Sequence, residues 1–263
     1  MIDAILSKGS PEGSHLTLSS YYPHPHTGEG EPLNNRIAVK KAIRRLNTDL
    51  GIGARHITVS TVGLAPRIRD LADDEEGLFT QIKLAVSLHA ATDAERSALM
   101  PVNKRFNLDE LLDAVQYYVQ RTNRRVTFEY ALIAGQNDRA KTARELGQLL
   151  APLKGRCHVN VIPVNPTGKC VDSVACPRRS WWFSLSNHKS TDKFDGRPSD
   201  KVAVTRFCNI LEEDYGIPAT VRIRRGIDID GGCGQLKGKL AAMKLLEEKE
   251  KEKEKDDAAA VGE

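Results

Sequence analysis

His56-Ile57-Thr58-Val59-Ser60-Thr61-Val62-Gly63 decides how this 263-residue chain is read. Its β-branched residues favour extended backbone, and the closing glycine ends the run. Upstream, Ile37, Ala38, Ala42, Ile43, Leu46 and Leu50 recur at helical spacing over 36–50, with Asn34 or Asn35 as cap and Gly51 at the exit. Downstream the same alternation continues. Strands are predicted over 82–89, 125–133, 157–164 and 220–225, and helices over 108–120, 138–150 and 200–215. Asn107 caps the second helix, with Asp109 and Glu110 favourable in its first turn. Strand-then-helix order implies right-handed crossovers and a largely parallel α/β sheet, either doubly wound or bent into a full or partial barrel. In both architectures polar residues at the C-terminal ends of strands meet ligand. Here those are Ser60-Thr61, Ser87 with His89, and Asn165.

The length suits one large α/β domain. Five cysteines at irregular spacings and the lack of a long apolar run point to a reducing compartment and no membrane span. The N-terminal residues carry neither a secretory signal nor an arginine-rich transit peptide, so the expected location is cytoplasmic or organellar rather than secreted. Net charge is +4, but the tail over 244–263 holds five lysines and eight acids, so the rest of the chain is more basic than that total shows. Such an excess permits a polyanionic partner without requiring one. Three clusters could meet phosphates: Lys40-Lys41 with Arg44-Arg45, Arg121 with Arg124-Arg125, and Arg222 with Arg224-Arg225. Each taken alone is better explained as a solvated face.

Residues 1–29 form an atypical N-terminal segment without clear periodicity, 168–198 read as a loop insertion, and 241–263 as a charged tail. No metal site can be assembled: Cys170 and Cys176 match no common zinc spacing, and His24 with His26 is a fragment of a site. Walker-type phosphate loops and Gly-x-Ser-x-Gly elbows are missing as well.

Several residues could carry chemistry. Gly30 would let backbone approach a ligand, Glu31 offers a carboxylate to an ammonium group, and Pro32 fixes the turn. A turn and helix cap explain that stretch equally well. Cys233, in Gly231-Gly232-Cys233-Gly234, sits on pliable backbone near Arg222 and Arg224, which favour thiolate, and near Asp228 and Asp230, which oppose it.

Eight blocks in order carry a resemblance. They are Gly30-Glu31-Pro32-Leu33-Asn34-Asn35, Thr58-Val59-Ser60-Thr61-Val62-Gly63, Ser87-Leu88-His89-Ala90, Pro101-Val102-Asn103-Lys104, Val126-Thr127-Phe128-Glu129-Tyr130, Ile162-Pro163-Val164-Asn165-Pro166, Arg225-Gly226-Ile227-Asp228-Ile229-Asp230 and Cys233-Gly234-Gln235-Leu236. Together they resemble the RlmN-type radical S-adenosylmethionine RNA methyltransferases over 30–167 and 199–240. The resemblance implies a partial (βα)6 TIM barrel, and a chain lacking the first βα unit, within a methyltransferase domain over 30–240. It implies methylation of carbon 2 of adenine in large-subunit ribosomal RNA and in transfer RNA. By the same resemblance, Gly30 and Glu31 would hold the methionine amino group, and Ser60, Ser87, Leu88, His89 and Asn165 would line the rest of S-adenosylmethionine. Cys233 would match the cysteine methylated on sulfur, from which a 5′-deoxyadenosyl radical takes hydrogen before the carbon radical adds to adenine. A radical route suits this position, because an electron-poor ring carbon is a weak nucleophile toward a methyl sulfonium.

The family also implies a 4Fe-4S cluster held by Cys-x-x-x-Cys-x-x-Cys upstream of the Gly-Glu-Pro block, and an electron donor. This chain has no cysteine before Cys157. Thiolates are the usual ligands of such clusters, so the expectation is an N-terminally truncated chain without the cluster-binding half. Two alternatives remain: a non-catalytic RNA-binding remnant using the 222–225 strand and the basic helix, and the related adenine carbon-8 methyltransferase, which shares most motifs.

Overall fold

The computed structural model describes residues 31–164 and 198–222, together with the backbone of 4–7 and 15–18. Seven strands form one sheet: β1 (Ala4–Ser7), β2 (His15–Leu18), β3 (Ile57–Thr61), β4 (Lys83–Ser87), β5 (Val126–Leu132), β6 (Cys157–Pro163) and β7 (Ala219–Val221). Their spatial order is their chain order. β1 pairs antiparallel with β2, and every pairing from β2 to β7 is parallel.

That order resolves the choice the periodicity left open. A doubly wound sheet reverses its strand order at a switch point. Here no reversal occurs among the described strands, so each crossover steps the same way and right-handedness puts the helices on one face. The result is a singly wound sheet, open between β1 and β7, as in a partial barrel.

Six helices pack on it: α1 (Arg36–Thr48), α2 (Ala65–Ala72), α3 (Asp93–Leu99), α4 (Leu108–Thr122), α5 (Ala140–Leu150) and α6 (Lys201–Asn209). Capping defines several starts. The Asn35 side chain accepts from Ala38 N–H at 3.4 Å, and Asp200 accepts from Ala203 N–H at 2.6 Å. Asn107 and Glu110 form a reciprocal capping box on α4, satisfying two orphan donors at once. The helix predicted over 200–215 is composite, since α6 passes into one π-helical turn at Ile210–Asp214 before Gly216 stops it at φ 64°.

Alternation along the strands separates two environments. Ile57, Val59, Leu84, Val86, Val126, Phe128, Tyr130, Val159 and Val161 are buried against the helices. Ile43, Ile68, Leu71, Leu111, Val115, Leu146 and Phe207 meet them from the helical side. Burying each such side chain contributes about 1.5–3 kcal/mol before chain entropy is charged against it. Thr58, Ser60, Ser87, Thr127, Glu129, His158 and Asn160 point the other way and are only half-buried. The second face of the sheet is therefore polar.

Two expectations are corrected. Residues 1–27, read as aperiodic, contain β1 and β2, and β2 joins α1 as a βα unit ahead of β3. Two helices, α2 and α3, were not predicted at all. The expected insertion over 168–198 and the tail lie outside the described residues, except that Pro198 bridges Ile133.

Candidate functional site

The predicted site residues divide by location. Ser60, Ser87, Leu88 and His89 gather at the C-terminal ends of β3 and β4, and Glu31 reaches the end of β3 from the turn that leads into α1. Gly30, Asn165 and Cys233 lie outside the described residues.

Glu31 caps the 3-10 turn Pro32–Asn35 that leads into α1. Its Oε1 accepts from Leu33 N–H at 3.0 Å and its Oε2 from Val62 N–H at 2.7 Å. The carboxylate thus ties the turn before α1 to the end of β3. Burial raises its pKa above the ordinary carboxylate value, and hydrogen bonds from the Val62 and Leu33 amides and the Thr61 side chain pull it back down. One residue on, Gly63 has φ 100°, and a Cβ there would meet Leu111 at 3.0 Å and the Arg96 guanidinium at 3.1 Å. Only glycine fits that turn.

The β3–β4 register pairs Ser60 with Ala85 and Thr61 with Val86, so Ser60 and Ser87 both face away from the core. Leu88 differs from the expectation for a lining side chain. It is fully buried in the core, and its N–H donates to Glu129 C=O at 3.0 Å. Only its backbone borders the rim.

His89 adopts a left-handed backbone at φ 62°, uncommon for a residue with a side chain. Its Nδ1 accepts from Ala131 N–H at 3.0 Å, which makes this nitrogen the unprotonated one of a neutral ring. Burial, then the positive charge of Arg96, pushes its pKa down to about 3. The conformation is held by Asn137, whose Nδ2 donates to His89 C=O at 3.3 Å and to Ala131 C=O at 2.8 Å while its Oδ1 accepts from Ile133 N–H at 2.7 Å. Strained backbone of this kind persists where surroundings over-determine it, often at functional sites.

Three residues escaped the sequence reading. Arg96 is fully buried and binds backbone carbonyls at the ends of β3 and β4. Asn137 joins the ends of β4 and β5. Glu129 is level with Ser87 on the polar face and accepts from Asn160 Nδ2 at 2.8 Å. Burial raises its pKa, while Arg222 and Asn160 oppose the shift. The alternation of β5 was the available signal for Glu129. For Arg96 and Asn137 the sequence held none, since their partners are distant main-chain atoms.

The rim fits S-adenosylmethionine in chemistry: a buried carboxylate for an ammonium group and two serine hydroxyls for polar oxygens. An iron-sulfur cluster does not fit the described residues. Their two cysteines, Cys157 and Cys208, are buried, and burial pushes both thiols up to about 11. No group of three or more metal-ligating side chains occurs among the described residues. Likewise no described helix is long and apolar enough to cross a membrane.

The basic helix is largely neutralised. Lys40 pairs with Asp74 at 2.5 Å and Glu76 at 3.1 Å, Arg44 pairs with Glu76, and Arg45 with Asp49 at 3.3 Å. Arg121 pairs with Asp73 at 3.3 Å. A surface cleft of about 530 Å³ along α6, lined by Lys201, Val202, Arg206 and Glu213 among others, holds none of the rim residues. We place the site at the strand ends, where the fold concentrates polar groups, and not in that open cleft.

No protein-family model matches the chain. It is 47% identical over 212 residues to the dual-specificity RNA methyltransferase RlmN 1 of Myxococcus xanthus, covering 80% of this chain and 50% of that protein. To a probable dual-specificity RNA methyltransferase RlmN of Staphylococcus aureus it is 45% identical over 214 residues, with 81% and 50% covered. The crystal structure of a radical SAM methyltransferase from Sphaerobacter thermophilus superposes with a TM-score of 0.63 at 45% identity, over 80% of this chain and 53% of that one. Fold and sequence identity therefore define a domain of the radical S-adenosylmethionine methyltransferase class. Within that class the chain is similar to the RlmN-type dual-specificity RNA methyltransferases. It spans about half the length of the curated relatives it matches.

Proposed function

We propose that this chain provides the S-adenosylmethionine-binding rim and the sulfur-methylated Cys233 of an enzyme that methylates carbon 2 of adenine in large-subunit ribosomal RNA and transfer RNA. The observation that supports this most is the convergence of Glu31, Ser60, Ser87 and His89 on adjacent strand ends in a chain 47% identical to an RlmN protein. When bound, S-adenosylmethionine supplies an activated methyl group on a sulfonium. Glu31 would hold its amino group, Ser60 and Ser87 its polar oxygens, and the neutral His89 would keep its turn rigid without adding a second cation beside the sulfonium. Gly30 and Asn165 would complete the binding wall. The described residues do not fit the family's cluster, and cluster and electron donor would belong to a more complete assembly.

The test is expression of the chain, alone and together with the N-terminal half of an RlmN relative, in a bacterium lacking adenine C2 methylation. Mass spectrometry of ribosomal and transfer RNA nucleosides is the readout. 2-Methyladenosine in the combined sample, lost on Cys233→Ala, supports the reading. 8-Methyladenosine would replace it with the carbon-8 alternative. No methylation, together with salt-dependent RNA binding by the purified chain, would replace it with a non-catalytic binding role. The ion pairs on the α1 surface weigh against that last outcome.

A further inference from the structure

We propose that Arg96 is a positioning residue: its guanidinium sets the geometry between Glu31, at the entrance to α1, and the Ser87–His89 turn, at the end of β4. The inference rests on reading this rim as the S-adenosylmethionine site and adds a residue that acts on it through the main chain.

Arg96 lies on α3, seven residues after His89, and its side chain has no exposed surface. A buried guanidinium normally faces a carboxylate, because an unpaired charge in a protein interior is costly. Here four of its five donors go elsewhere. Nε donates to Leu88 C=O at 3.2 Å, and Nη2 to Val62 C=O at 2.8 Å and Ser87 C=O at 3.1 Å. Nη1 donates to Asn103 Oδ1 at 2.9 Å, and Asn103 Nδ2 donates to Asp93 Oδ1 at 2.8 Å and Ser97 Oγ at 2.9 Å. The nearest negative charge is thus one amide removed. Three strand-end carbonyls, from two strands, take the planar fork.

That choice of partners has a geometric consequence. Val62 is held on its other side by Glu31, through the 2.7 Å bond to its N–H. Arg96 therefore fixes the backbone that orients the Glu31 carboxylate. Through Ser87 and Leu88 it also fixes the two residues leading into the left-handed His89. A lysine cannot replace this arrangement, since a point charge with three donors does not span four acceptors set by a rigid fork.

Amide hydrogen exchange on the full 263-residue chain and its Arg96→Lys variant tests the proposal. Exchange at the Val62, Leu88 and Ala131 amides should accelerate at least tenfold in the variant, while Val59 and Phe128 in the strand interiors stay within twofold. Should Arg96→Lys fail to fold, Asn103→Ala removes one anchor of the fork and should give the same pattern at smaller amplitude. Uniform acceleration across the sheet would reduce Arg96 to a general stabiliser, and unchanged exchange would remove its role altogether; either overturns the proposal. A parallel titration with S-adenosylmethionine separates the two ideas. Wild-type binding that weakens at least tenfold in Arg96→Lys supports both, and binding unaltered in the variant overturns the positioning role. No wild-type binding contradicts the cofactor reading alone, and the exchange pattern then still decides whether Arg96 sets the rim.

Discussion

Glu31 and Arg96, of opposite charge and on different elements, hold the two backbone groups of the same residue: the Val62 N–H meets Glu31 at 2.7 Å and its carbonyl oxygen meets Arg96 at 2.8 Å. The end of β3 is thereby gripped through its backbone by a carboxylate on one side and a guanidinium on the other. Asn137 does for the β4–β5 junction what this pair does for the ends of β3 and β4. The rim is a set of main-chain geometries enforced by buried polar side chains.

Replacing Asn137 with alanine should lower stability by about 2–4 kcal/mol, since it leaves Ile133 N–H and the carbonyls of His89 and Ala131 without their partner in a buried place. Urea unfolding of the two proteins measures it. A loss under about 1 kcal/mol would mean that the three bonds do not hold the turn.

His89 makes stability depend on pH. Its folded pKa of about 3 lies below the ordinary 6.5, so between these values the unfolded chain takes up a proton that the folded chain refuses. Stability should fall as pH drops below 6.5, at up to about 1.4 kcal/mol per pH unit from this group. The raised carboxyls of Glu31 and Glu129 act in the opposite direction, so the readout is the difference from His89→Asn, a residue that tolerates the left-handed backbone. Denaturation curves from pH 7 to 4.5 should show the wild type losing more stability than the variant, and an equal loss in both would show that the ring is not buried neutral.

Gly147 on α5 faces the Tyr215 ring, and a Cβ would stand 2.3 Å from its Cδ2. Gly147→Ala should therefore destabilise by about 1–3 kcal/mol despite the better helix propensity of alanine, because the ring must move. A thermal midpoint at or above that of wild type would refute the packing of α5 against the π-helical turn.

Cys157 and Cys208 should resist alkylation in the folded chain at pH 8, as both are buried with pKa about 11. Mass spectrometry after iodoacetamide treatment should find them modified only in denaturant. Modification of either under native conditions would place a reactive thiol where the structure has an inert one.

Much of the fold was legible because particular residues mark it. Asn35, Asn107 and Asp200 announce α1, α4 and α6, and β3 to β6 carry continuous β-branched or alternating runs. The helices α2 and α3 were not, being eight and seven residues long, and α2 opens at Ala65-Pro66 without a capping side chain. Strands β1 and β2 have four residues each, too few to show a period. Of the site, Ser60, Ser87 and His89 followed from the rule that strand ends meet ligand. Arg96 and Asn137 could not, because an arginine in a charged helix and an asparagine in a loop look solvated until the distant carbonyls they bind are brought together.

The central claim is that the strand-end rim binds S-adenosylmethionine. Isothermal titration of the 263-residue chain with S-adenosylmethionine tests it most directly, alongside Glu31→Gln, Ser87→Ala and Cys233→Ala. Measurable binding by the wild type, weakened about tenfold or more by the Glu31 and Ser87 changes and left within twofold by Cys233→Ala, is the predicted result; a tenfold loss is about 1.4 kcal/mol, the scale of one hydrogen bond to a charged group. Binding indifferent to Glu31 and Ser87 would contradict the account.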